Sequence, residues 1–248
     1  MQMKYALVFI FFFCHFATAQ TPEKKVSHSI IMKTGAGYNL GIVDLGKRFP
    51  AYSTLPAELY YTNDNYSFGI SYNHFLGNRV KVDSLYGGIV GDSRLMFDRE
   101  GFPGIIRYYM RGFTLQFTAG KLYPIKPEWK HSRIEVRLGA GIMQHKITAK
   151  FDRGKLPQIE GEYAKGYDKL SNGPLFTQAV NFHYLNTETV SFFAGINFGQ
   201  AFTKNRRSWD YGLMRQDVTL RKDFFIGASA GVLIPIVLKD NKSPDYFN

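Results

Sequence analysis

Ile134-Glu135-Val136-Arg137-Leu138-Gly139-Ala140-Gly141-Ile142 is the stretch that decides the fold. Ile134, Val136, Leu138, Ala140 and Ile142 fall on one parity, and Glu135, Arg137, Gly139 and Gly141 on the other. Strict alternation is the period of a strand, not a helix. A half-buried soluble strand turns Lys, Glu or Thr to water, whereas here the face opposite the apolar one carries glycine and charges suited to an interior. The pattern predicts a barrel turned inside out, apolar toward lipid and small or polar toward a lumen.

The same unit recurs outward from this segment. Ser27 to Asn39 sets Ile30, Met32, Ala36 and Tyr38 against Lys33, Gly35 and Gly37. Leu55 to Thr62 sets Ala57, Leu59 and Tyr61 against Glu58 and Tyr60. Tyr66 to His74 sets Tyr66, Phe68, Ile70 and Tyr72 against Ser67, Gly69, Ser71 and Asn73. Phe113 to Ala119 continues the pattern, with a start as early as Ile106, and the quoted segment extends through Ile147. Leu175 to Tyr184, Val190 to Phe202 and Asp223 to Leu238 complete eight strands. Leu175 to Tyr184 is the least regular, because Gln178 shares the face of Phe176, Val180 and Phe182.

Connections alternate long and short. Thr62-Asn63-Asp64-Asn65, Pro124 to His131 and Leu185 to Thr189 are short turns by composition. The stretches around Gly46 to Pro50, Gly77 to Gly104, Phe151 to Gly173 and Thr203 to Lys222 are long. The expected architecture is all-β: an eight-stranded antiparallel up-and-down transmembrane β-barrel with short periplasmic turns and long extracellular loops. Tyr60, Tyr61, Tyr66, Trp129 and Tyr184 sit near the short turns, and Tyr38, Tyr72, Tyr108 and Tyr109 near the long loops, as two aromatic girdles would. A soluble lipocalin-like barrel is the structural rival, but it would bury the large apolar face and show glycines to water.

The ends and the composition agree. Lys4, an apolar run from Tyr5 to Phe16 and Ala17-Thr18-Ala19 make residues 1–19 a secretory signal peptide, too short for a membrane helix. Residues 20–26 read as a short polar leader, 27–239 as the barrel and 240–248 as a C-terminal tail. Cys14 is the only cysteine, so a cleaved chain holds no disulfide or thiolate–metal site. Aromatic residues make up 16% of a chain with low mean hydropathy, which suits strands split between lipid and lumen. The net charge of +11 in an exported protein points to phosphate-bearing outer-membrane lipid or lipopolysaccharide rather than nucleic acid.

On these residues the chain resembles the small eight-stranded outer-membrane barrels of the OmpA and OmpX type, and the outer-membrane β-barrel families of Bacteroidota that include PorT-like proteins. Ser229, Gly231, Ile234 and Ile236 match the last-strand barrel-assembly signal, polar-x-Gly-x-x-hydrophobic-x-hydrophobic. Its hydrophobic positions are aliphatic here, and a tail follows the strand. The resemblance implies insertion by the barrel-assembly machinery and residence in the bacterial outer membrane. It also implies a structural or interaction role, with surface loops that bind envelope lipid, a ligand or a protein partner. An accessory place in a secretion or motility complex follows by the same likeness.

Two groups of residues are candidate sites. Lys33, Glu58, Glu135, Arg137 and His183 share lumen parity and are expected to pair as a charge network filling a narrow lumen. Lys204, Arg206, Arg207, Trp209, Tyr211 and Arg215 make the last long loop basic and aromatic, a composition suited to phosphate or a protein partner. No cofactor, metal or catalytic residue is expected. The alternatives are a lipid A-modifying enzyme using Ser93 of Gly91-Asp92-Ser93 with His74 or His145, and a small porin.

Overall fold

The computed structural model describes residues 29–63, 65–81, 85, 95–98, 100–126, 132–152, 156, 159–185 and 190–237. The barrel strands are β1 (Ser29–Ile42), β2 (Ala51–Thr62), β3 (Tyr66–Gly77), β5 (Pro103–Pro124), β6 (Ser132–Phe151), β7 (Ser171–Tyr184), β8 (Ser191–Asn205) and β9 (Arg221–Val237). A short strand β4 (Leu95–Phe97) and two short helices, α1 (Val43–Arg48) and α2 (Gly161–Tyr167), lie in the long connections. Eight strands form a ring, each antiparallel to its neighbours, and β9 closes it by pairing with β1. β4 hangs from the upper end of β5 outside the ring. The expected signal peptide, leader and tail, and also Ser93 and Trp129, lie outside the described residues.

The two faces are distributed as the alternation predicts. Phe117 is 73% exposed and Leu138 62%, while Glu135 and His183 have no exposed surface. A strand pairs its backbone with neighbours whichever way its side chains point, so the ring closes with apolar groups outward and polar groups inward. On β5 the outward apolar run is bounded by Lys121 below and Arg111 above. These positions lie ten residues apart, and ten residues at about 3.3 Å each, tilted by roughly 40°, rise about 25 Å.

The seam shows why the lumen face is rich in glycine. Gly35 and Gly231 lie directly opposite on β1 and β9. A Cβ on Gly35 would sit 2.2 Å from the Ala230 carbonyl oxygen, and one on Gly231 would sit 2.5 Å from the Gly35 Cα. Only a hydrogen in place of the side chain allows that approach on both strands.

Several strands run further toward the long connections than alternation suggests. β2 begins at Ala51, β3 ends at Gly77, β5 covers Pro103–Pro124 and β6 reaches Phe151. On β5 and β6 the outward face above the apolar belt becomes charged, so apolar alternation stops while backbone pairing continues. The first long connection is not all loop: Asp44 in the first turn and Lys47 and Arg48 in the last complement the dipole of α1, and Leu45 is buried beneath it. Tyr60 and Tyr108 are not girdle residues. Tyr60 is buried in the lumen, and Tyr108 packs against the interior apolar cluster near the long loops.

Candidate functional site

Two apolar layers close the lumen. At the end with the long connections, Leu45 and Phe49 come down from the first loop and Leu85 from the second. Leu156 and Ile159 come from the third, and all pack with Tyr52, Phe75, Met110, Met143 and Phe225 of the wall. At the short-turn end, Ile31, Tyr60, Phe193 and Leu233 meet, with Leu185 against them. A polar cavity of about 60 Å³ lies between, lined in part by Thr54, Asn73, Gln116, Asn197 and Ser229.

The first candidate group lies in the polar section. Lys33 Nζ is 3.3 Å from Glu58 Oε2. Arg137 donates one guanidinium nitrogen to Glu58 and, through Nη2, another to Glu135 Oε1 at 2.8 Å. His183 Nε2 lies 3.3 Å from Glu135 Oε2. Three partners were not assigned to the network from the sequence, although Ser67 and Ser71 were placed on the lumen face: Ser67 donates to Glu135 at 2.5 Å, Asn181 to Glu135 at 3.0 Å and Ser71 to Glu58 at 3.1 Å. All three have lumen parity, the signal that would have found them. Two carboxylates and two cations from three strands, with His183 from a fourth, thus share one layer. They rest on the lower apolar layer, with Lys33 4.2 Å from the Phe193 ring centre and Arg137 5.0 Å from that of Tyr60.

A second buried network was not foreseen. Asp223 has no exposed surface and accepts from Arg48 Nη2 at 2.6 Å and Thr203 Oγ1 at 2.5 Å. Its Oδ2 lies 2.8 Å from His145 Nε2. Phe49 meets the His145 ring edge-on at 5.4 Å. Asp223 shares the parity of Gly227 and Ser229 but stands at the first residue of the strand expected from sequence, two residues after β9 begins, and so reads there as the edge of a loop.

The basic loop folds onto its neighbour. Arg207 donates two hydrogen bonds to Asp168, one of them at 2.8 Å, and the bonded carboxylate raises the guanidinium above its ordinary pKa. Arg206 donates to Asn172, and its backbone amide to Leu170 at 2.8 Å. Tyr211 packs on Tyr167 of α2 at 5.2 Å, and burial raises the Tyr167 hydroxyl above its ordinary value. Two of the three arginines therefore hold loop to loop. Lys204, Trp209 and Arg215 remain exposed, with Met214 and Val218 beside them in sequence, each at least 70% exposed.

The two histidines of the enzyme alternative lie apart in kind. His145 is buried against Asp223, and His74 faces outward with Nδ1 3.4 Å from the Tyr72 hydroxyl. Among the described residues, no three His, Cys, Asp or Glu side chains gather as a metal site would need.

No protein-family model and no curated protein sequence matches the chain. Solved structures similar to it include the following three. Neisserial surface protein A is 12% identical with a TM-score of 0.45, over 85% of this chain and 99% of that one. Ail, the attachment invasion locus protein of Yersinia pestis, is 11% identical with a TM-score of 0.42, over 84% and 99%. Ail in complex with the heparin analogue sucrose octasulfate is 13% identical with a TM-score of 0.41, over 85% and 100%.

Proposed function

We propose that this chain is an integral outer-membrane barrel that conducts nothing and acts through the layer of loops at the end with the long connections. The observation that carries the first half is the double closure: apolar clusters seal the lumen above and below a paired charge network. A belt about 25 Å high with apolar residues outward fits a bilayer's hydrocarbon, and the closure disfavours the small porin. The second half rests on the joined third and fourth loops, which hold Trp209, Met214 and Val218 exposed beside Lys204 and Arg215. Exposed apolar groups on a braced, cationic surface suit a protein or envelope partner. His145, one of the two bases a loop serine would use, is held inside by Asp223, which favours binding over lipid A chemistry.

Insertion by the barrel-assembly machinery and a place beside a secretion or motility complex belong to this proposal through the PorT-like resemblance. The test is a photo-crosslinker at Met214, compared with one at Asn63 on the opposite end, in intact cells, together with bilayer conductance of the purified barrel. A distinct adduct at Met214 and no conductance is the expected result. Steady conductance by the parent, or identical adduct patterns at the two positions, would overturn it.

A further inference from the structure

On β5 and β6 the outward face changes character at the top of the apolar belt. Below the change it carries Leu115, Phe117, Leu138 and Ile142; above it come Arg111 and Arg107 on β5, and Lys146 and Lys150 on β6. The inward residues next to them (Ile106, Met110, Ile147) are buried, which fixes the four cations on the outside. The ladder register sets Arg111 directly opposite Lys146 and Arg107 directly opposite Lys150.

Like charges directly opposite on adjacent strands have Cβ atoms about 5 Å apart and destabilise a sheet. Here there are two such rungs, four residues apart, with Tyr109 between them. The Arg111 guanidinium lies 5.1 Å from the Tyr109 ring centre and Lys150 Nζ 5.9 Å from the same ring. One ring thus gathers a cation from each rung. Among the described residues, no carboxylate pairs with any of the four. The carboxylate two residues beyond Lys150, that of Asp152, accepts the Ile105 amide at 2.8 Å.

We propose that Arg107, Arg111, Lys146 and Lys150 form a phosphate-binding stripe for the phosphorylated headgroup of a glycolipid in the leaflet around the barrel. This rests on the membrane reading above. The lower rung sits where the belt ends, at the depth of the headgroup boundary, and the upper rung rises about 10 Å beyond it. A phosphate between opposed cations turns a repulsive rung into a pair of charge-assisted hydrogen bonds, and arginine offers its fork to two phosphate oxygens at once. Two rungs at two heights suit a headgroup that carries more than one phosphate. A soluble anion would have no reason to prefer the lipid side of the wall.

The experiment uses the full barrel in phosphatidylcholine nanodiscs containing lipid A, or lipid A with its phosphates removed. Lipid retained after transfer to neutral detergent is read by native mass spectrometry. The parent should retain lipid A and release the dephosphorylated form. Exchanging all four cations for Gln should lower retention about tenfold or more, and each rung changed alone (R111Q with K146Q, or R107Q with K150Q) should give an intermediate loss. Insertion, scored separately by flotation of the nanodisc-free protein with vesicles, should be equal for parent and variant. A failure of the membrane reading would show there and not in retention.

In neutral detergent without lipid A, the fourfold variant should melt no lower than the parent, because two like-charge rungs are gone. Equal retention of lipid A by parent and fourfold variant would overturn the stripe. So would equal retention of the dephosphorylated lipid by the parent. Inorganic phosphate that raises the melting temperature of the parent as much as lipid A does would also overturn it, in favour of a small-anion site.

Discussion

Arg48, the last residue of α1, bonds to Asp223, a carboxylate 175 positions later at the start of β9: Nη2 and Oδ1 are 2.6 Å apart. This pair ties the first loop to the start of the last strand at the barrel mouth, beside the hydrogen bond from the Lys222 amide to Asp44. Asp223 has no exposed surface, so removing its guanidinium leaves a buried charge held only by His145 and Thr203. Arg48→Ala should cost roughly 3–5 kcal/mol of barrel stability. It should also open the α1 segment to protease. Thermal unfolding in detergent and limited proteolysis check both, and an unchanged melting temperature with intact α1 would refute the tie.

The mid-barrel layer predicts a different pattern, one of compensation. Glu58→Gln alone leaves the buried Lys33 without its carboxylate, a loss of about 3 kcal/mol or more. Lys33→Met alone leaves Glu58 still bonded to Arg137 and Ser71 and should cost less. Changing both removes charge of both signs, so the double variant should unfold closer to the parent than the single losses would predict by addition. A double-mutant cycle by thermal or denaturant unfolding measures the coupling. Strict additivity would show that Lys33 and Glu58 do not act as a pair.

Much of this was legible in the sequence, because a strand reports both faces of its sheet. Glu135 and Arg137 stand on the glycine parity, and that alone placed them inside with Lys33, Glu58 and His183. The ring then decided which of them meet, through the registers of four strands that are distant in sequence. The loop-side network was not legible. Asp223 finds Arg48 only because α1 folds back into the mouth, and a six-residue helix with Val43 at a φ of 56° at its start leaves no periodic trace. The basic loop was legible as charge but not as structure: Arg207 turns to Asp168, a contact between loops that composition cannot encode.

The loops should respond to acid and not to mild alkali. The Lys222 backbone amide, and then Lys47, hold the Asp44 carboxylate below its ordinary pKa. Burial opposes ionisation of Asp217, but hydrogen bonds from Arg221 and Thr219 outweigh it and hold that carboxylate low as well. A lowered folded pKa contributes stability that is complete above the unfolded value and is lost as pH falls through the folded one. Hydrogen exchange of the first and fourth loops should therefore be flat near neutrality and rise only below the usual carboxylate range. Asp44→Asn with Asp217→Asn should raise the neutral rate and flatten the acid rise. Loosening that begins on the alkaline side would contradict the assignment.

Topology has a direct test, since Cys14 is the only native cysteine and lies in the expected signal peptide. Cysteines placed at Gly161, Arg207 and Met214 should react with an impermeant maleimide on intact cells. A cysteine at Asn63, in the tight turn between β2 and β3, should react only after the outer membrane is breached. The reverse pattern would invert the orientation.

The seam between β1 and β9 also governs how the chain can reach its native state. Its register runs from Ser29↔Val237 to Ile42↔Phe224, so the first strand waits for the last before its second edge is satisfied. Until then the sheet has two free edges, and each would pair with any strand it met. Contacts of such long sequence separation form slowly. A chain cut before β9 therefore has no stable partial barrel to fall back on. Assembly follows synthesis as one late event, and the open sheet that precedes it is the species most exposed to aggregation.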